Sequence, residues 1–193
     1  MVLNLWKART ARRARAEALY RAVVRQTRRP EFYTSGGVAD TFEGRFDLLV
    51  AHLALVLHRL KGGDAHGKAI AQRVLDLFFA DMDAALRELG VGDMGVGRRV
   101  RKMSEAFYGR LEAYDAGLAD EEGDTTLREA LARNLYGGEA ADYAAVMAGY
   151  MRATAREMGR TDLEGLISGA PFRDPPEFNG ARAGQAGRAE GVT

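Results

Sequence analysis

The stretch Asp40–Leu60, DTFEGRFDLLVAHLALVLHRL, decides the fold. Phe42, Phe46, Leu49, Leu53, Val56 and Leu60 recur at steps of three and four, which is one helical stripe. Leu48, His52 and Leu55 lie on another face, between Arg45 and Arg59. A helix that is apolar on more than one face is buried on more than one side, so the spacing predicts other helices packed around this one. Asp40 or Thr41 stands where an N-cap belongs, and Glu43 follows Asp40 at capping-box spacing. No Lys, Arg, Asp or Glu interrupts Leu48 to Leu57, yet Asp47 and Arg59 bracket that run closely. A membrane span needs about 20 apolar residues. The stretch therefore reads as a core helix.

The surroundings agree. A chain of 193 residues, 47% hydrophobic and 28% charged, accommodates one domain of ordinary size with a real core. Upstream, Ala11 to Thr27 reads as a helix with Ala11, Ala14, Ala18, Leu19, Ala22 and Val23 along one side, stopped by Pro30. Residues 1–10 are expected to be a flexible lead. The loop EFYTSGGVA, turning at Gly36-Gly37, leads into the central helix. Downstream, Ile70, Val74, Leu77, Phe78, Met82, Ala85 and Leu89 stripe a helix from Ala65 to Leu89, ended by Gly90. Asp93 is a candidate N-cap for a helix striped by Val96, Val100, Met103, Phe107, Leu111, Tyr114 and Leu118. Thr125 or Thr126 opens a shorter helix through Leu127, Leu131 and Leu135. Another spans about Glu139 to Met158, with Tyr143, Met147, Tyr150 and Met151 inward, and Asp162 to Ile167 adds a turn or two. Residues 170–193, rich in proline, glycine and alanine, read as a disordered tail. No segment alternates with period two. The expected fold is all-α: one bundle-like domain over 11–169, with about six or seven helices around a central buried helix, Phe42–Leu60.

Charge is distributed unevenly. Lys+Arg 28 against Asp+Glu 27 leave a net charge of +1, but ahead of Pro30 nine cations face Glu17 alone. A second basic cluster, Arg98, Arg99, Arg101 and Lys102, stands near the start of a helix, against its own dipole. A solvated face explains such runs; phosphate on RNA or lipid headgroups, or an acidic protein, is the sharper reading. Arg12, Arg13, Arg98, Arg99, Arg101 and Lys102 are the candidate contact surface.

The chemical motifs fail on context. Gly90-Val91-Gly92-Asp93-Met94-Gly95 spells G-x-G-x-x-G but follows a helix, whereas a dinucleotide site needs it after a strand. Asp76 and Asp83 share a helix face while Asp81 points away, and Asp83 with Arg87 suits an i,i+4 ion pair. His52, among apolar neighbours, reads as a core histidine, with haem ligation by His52, His58 or His66 as the minor alternative. Ser35, Ser104 and Ser168 lack an activating histidine. With no cysteine, disulfides and thiolate sites are excluded. The expectation is a protein without catalytic, metal or cofactor residues. No apolar secretory run opens the chain, so the expected compartment is the cytoplasm.

Three strings carry a family resemblance: RRPEFYTSGGVADTFEGRFDLLVAHLALVLHRL (Arg28–Leu60), DLFFADMDAALRELGVGDMGVGRRVRKMSEAFYGRLEAYDAGL (Asp76–Leu118) and LARNLY (Leu131–Tyr136). They resemble the ubiquinol–cytochrome c chaperone family over most of Leu19 to Leu166. The resemblance implies a helical assembly factor for the ubiquinol–cytochrome c reductase that handles newly made cytochrome b. Its mitochondrial members do so near the ribosomal exit with a small partner protein. Lacking a long targeting extension, the chain is expected to be a bacterial relative, peripheral at the inner membrane, with the ribosome or an anionic membrane surface as further contacts and no DNA. A chaperone of this kind needs a groove between amphipathic helices, and Phe32, Tyr33, Phe79 and Tyr108 are its candidate lining. The rival reading is a peripheral anionic-lipid- or RNA-binding helical module; a haem- or metal-dependent enzyme comes third.

Overall fold

The computed structural model describes residues 2–88, 93–120, 123–138, 140–169, 172–179 and 181. The described residues form an all-helical fold in the order α1 (Val2–Thr27), α2 (Glu31–Thr34), α3 (Phe42–Lys61), α4 (Ala65–Glu88), α5 (Asp93–Ala119), α6 (Thr125–Leu135), α7 (Ala141–Arg160) and α8 (Leu163–Gly169). The helix expected from Ala11 begins at Val2, because the leucines, alanines and arginines of the lead are good helix formers. The loop after Pro30 also contains one helical turn, α2; the other seven helices of the described residues match the expected six or seven.

The helix α3 is the axis. It packs against α1, α4, α5, α6 and α7, and every residue from Leu48 to Leu57 is buried. Its cap is Thr41, whose hydroxyl accepts the Gly44 N–H at 3.1 Å. Asp40, the other candidate, instead pairs with Arg45 at 2.6 Å. At the far end the Arg59 guanidinium donates to the carbonyls of Met158 and Thr161, both at 2.9 Å, satisfying the last turn of α7 from α3. The α5–α6 pair approaches backbone to backbone: a Cβ on Gly117 would lie 2.7 Å from the Leu127 Cα. Only glycine fits there.

Part of the segment expected to be a tail lies on the core. Phe178 is buried and its ring closes over Gly36, where a Cβ would meet it at 2.8 Å. Arg29 holds Asp174 at 3.2 Å and the Gln26 amide donates to the Arg173 carbonyl at 2.8 Å. Residues 172–179 are therefore a strap tied to α1. The remaining residues of the expected tail, 170–171, 180 and 182–193, lie outside the described residues, as does the Gly90 cap. No helix of the described residues is long and apolar enough to cross a membrane.

Candidate functional site

Three helices leave a groove open beside the axis. The first turns of α3 contribute Phe42, Glu43, Phe46 and Asp47, α4 contributes Leu86, and α5 contributes Arg99, Lys102, Met103, Ala106 and Arg110. The α5 residues recur at three- and four-residue steps, so one face of that helix forms a whole wall. The volume is about 570 Å³. The floor is apolar and the α5 rim is cationic.

The floor continues into an aromatic cluster. Phe46 lies 6.1 Å from Phe78, centroid to centroid, and Phe78 lies 4.7 Å from Phe107. Phe79 packs on Phe107 at 5.4 Å and reaches Tyr108 at 6.2 Å. Tyr108, 54% exposed, carries the cluster to the surface. There it lines a second recess with Leu57, Leu75 and Leu111, edged by His58, Lys61 and Asp115. Burial alone would raise the Asp115 carboxyl; the hydrogen bonds from Lys61 and His58 outweigh it and hold the carboxyl below its usual range.

One charged pair interrupts the apolar floor. Arg110 Nε stands 2.9 Å from Asp47 Oδ1, with both side chains largely buried. By distance this is an ion pair, but the two atoms are misaligned and neither makes a proper hydrogen bond. The Arg110 guanidinium also lies 5.8 Å over the Phe46 ring and donates to the Ala106 carbonyl at 3.3 Å. Desolvation pushes the Asp47 carboxyl up to about 6, against the pull of Arg110. One turn on, the Tyr114 hydroxyl is buried with no partner.

The sequence-predicted residues fall in five places. Arg99 and Lys102 rim the groove; Arg98 and Arg101 are exposed beside it, and Arg101 pairs with Glu105 at 3.2 Å. Arg12 and Arg13 lie elsewhere, exposed over a cleft between α1 and α4, with Arg13 held by Glu17 at 2.9 Å. Phe79 and Tyr108 come together in the aromatic cluster. Phe32 does not line any surface: it is wholly buried, 5.2 Å from His52 and 5.7 Å from Tyr150. Its placement in a groove is corrected, because α2 turns the ring inward under the strap. Tyr33 is half-buried, donates to the Thr27 carbonyl at 2.6 Å and carries Arg45 at 5.6 Å from its ring. It lines a recess that shares Phe42 and Phe46 with the groove.

Sequence reasoning missed Phe42, Phe46, Leu86, Asp47 and Arg110 as site residues. Asp47 was the available signal, an acid beside Phe46 at the mouth of the apolar run. His52 behaves as expected of a core histidine. Its Nδ1 donates to the Leu48 carbonyl at 2.9 Å, so its Nε2 accepts from the Tyr150 hydroxyl at 3.1 Å. Among the described residues no cluster of His, Asp and Glu is placed to hold a metal ion.

The whole groove falls within residues 34–174, which match the family model described as Ubiquinol-cytochrome C chaperone. The chain belongs to that family. It is 25% identical over 166 residues to ubiquinol-cytochrome-c reductase complex assembly factor 1 of Xenopus laevis, covering 85% of this chain and 80% of that protein. Against the Homo sapiens factor of the same name it is 25% identical over 164 residues, 84% of this chain but 53% of that one. The crystal structure of the Cbp3 homolog from Brucella abortus superposes with a TM-score of 0.78 at 33% identity, over 94% of this chain and all of that one. The family match leaves out Arg12 and Arg13, whereas it contains Arg99, Lys102, Asp47 and Arg110.

Proposed function

We propose that this protein is a non-enzymatic assembly chaperone for the ubiquinol–cytochrome c reductase, binding newly made cytochrome b at the cytoplasmic face of the inner membrane. The family match over residues 34–174 carries the reading. The groove supports it: an apolar floor with a cationic rim suits a polypeptide segment better than it suits a reaction. A photo-crosslinking side chain at Met103, in cells actively translating cytochrome b, is expected to capture that subunit. Recovery of neither cytochrome b nor any other reductase subunit overturns the proposal.

One observation favours a second contact alongside the first. Arg21 and Arg25 on α1, and Arg28 just past its end, recur at four and three residues, are exposed, and make no ion pair among the described residues. Such a stripe suits an anionic membrane surface. Co-sedimentation with phosphatidylglycerol vesicles that is lost at high salt, and lost in the triple glutamine variant, is the expected result. Equal sedimentation of the variant removes this contact and leaves the chaperone reading standing.

A further inference from the structure

The groove contains a guanidinium whose buried partner serves it badly. Arg110 and Asp47 are within contact distance, 2.9 Å, but misaligned. The neighbouring Tyr114 hydroxyl, also buried, is unpartnered. Buried polar groups are ordinarily satisfied, and a poorly satisfied one awaits a water or a ligand. The surrounding charge indicates which ligand. Arg99, Lys102 and Arg110 face Glu43 and Asp47 across the groove, and neither Arg99 nor Lys102 makes an ion pair among the described residues. The lining is cationic in excess and otherwise apolar.

We propose that the groove takes an apolar helical segment of another polypeptide that carries one carboxylate, and that this carboxylate takes Arg110 over from Asp47. A carboxylate arriving along the groove meets the guanidinium in line and forms charge-assisted, two-point hydrogen bonds, which the misaligned Asp47 does not. Phe42, Phe46, Leu86 and Met103 receive the apolar side chains on either side. Asp47 then acts as a placeholder that keeps Arg110 from being buried alone while the groove is empty. The inference rests on the assembly reading only in taking the occupant to be a polypeptide.

The test uses the full chain and two labelled leucine- and alanine-rich helical peptides of about five turns, one with a central Glu and its twin with Gln. Anisotropy titration is expected to show about tenfold tighter binding of the Glu peptide, the size of one good charge-assisted bond. Asp47→Asn removes the competing charge, so it tightens the Glu peptide and leaves the Gln peptide unchanged. The double variant Asp47→Asn, Arg110→Gln leaves no buried charge behind; with its fold confirmed by circular dichroism, it binds the two peptides equally. Equal binding by the wild-type protein, retained preference in the double variant, binding of neither peptide, or capture of anionic vesicles alone each overturns the inference. The assembly reading is judged separately, by crosslinking of cytochrome b at Met103.

Discussion

Two ionisable residues of α3, the partly buried Asp47 and the wholly buried His52, lie little more than a turn apart, and their surroundings differ completely. His52 faces α2, α7 and the strap. Both its nitrogens are used, and the chain of bonds continues from Tyr150 to the Gln26 amide at 3.0 Å and from there to the Arg173 carbonyl. Asp47 faces α5 and a groove, and its partner among the described residues, Arg110, is misaligned. The Thr154 hydroxyl, one turn along α7 from Tyr150, is buried without a hydrogen-bond partner. The bonded chain from Leu48 through His52 and Tyr150 to Gln26 is nevertheless continuous, and such a network fixes a structure. A half-satisfied pair at the edge of an open groove stores unmet bonding capacity where an incoming chain can reach it. The closed side of α3 is thus architecture and the open side is the working surface.

The largest effect that would sharpen this contrast comes from breaking the ion pair one partner at a time. Arg110→Met leaves Asp47 buried and alone, and is expected to cost about 3–5 kcal/mol near neutral pH. Adding Asp47→Leu to it is expected to restore nearly all of that loss, because two apolar side chains replace a poorly matched pair. Urea unfolding of the single and double variants measures both. A double variant as unstable as the single one would mean that the pair is structural after all.

On the closed side the expected loss is smaller. Tyr150→Phe removes the hydroxyl that His52 and Gln26 share, leaving a buried nitrogen without a donor, at about 1–3 kcal/mol. The same urea experiment reads it. A loss below a few tenths of a kcal/mol would remove the distinction between the two sides.

The sequence announced the closed side and showed the open one only in part, through Arg99, Lys102, Phe79 and Tyr108, for physical reasons. From Leu48 to Leu57 the apolar run is unbroken, so the burial of α3 follows from composition and period alone. The stripe of α5 was legible in the same way, through Phe107, Tyr114 and Leu118, all buried. The meeting of Asp47 with Arg110 was not, since nothing local specifies which distant helix a side chain faces. Phe32 was offered as groove lining because it stands in a loop between a proline and a glycine pair; the single turn of α2 takes it fully into the core. Phe172 and Phe178 were submerged in the proline, glycine and alanine content around them, although two aromatics in such a segment are what a strap needs to adhere.

Acid titration gives the finest test, because the two residues act in opposite directions. Burial lowers His52 to about 4 from its ordinary 6.5. Its contribution to stability is complete above pH 6.5 and is lost as the pH falls toward about 4, where the unfolded chain takes a proton that the native ring refuses. Asp47, raised to about 6 from 3.8, does the reverse: its contribution is complete below pH 3.8 and is lost as the pH rises to about 6. Among the described residues, the charges facing Asp47 are Glu43 on its own helix and Arg110 on α5, while His52 meets the Leu48 carbonyl, Tyr150 and the Phe32 and Phe172 rings. In the wild-type protein the two slopes oppose each other through the shared window. His52→Gln leaves the Asp47 slope bare, so stability is expected to fall between pH 4 and pH 6. Asp47→Asn leaves the His52 slope bare, and stability is expected to climb across the same range. Urea midpoints measured at closely spaced pH values separate the two. Parallel curves for both variants would show that α3 has no such asymmetry, and that the groove side is as settled as the core.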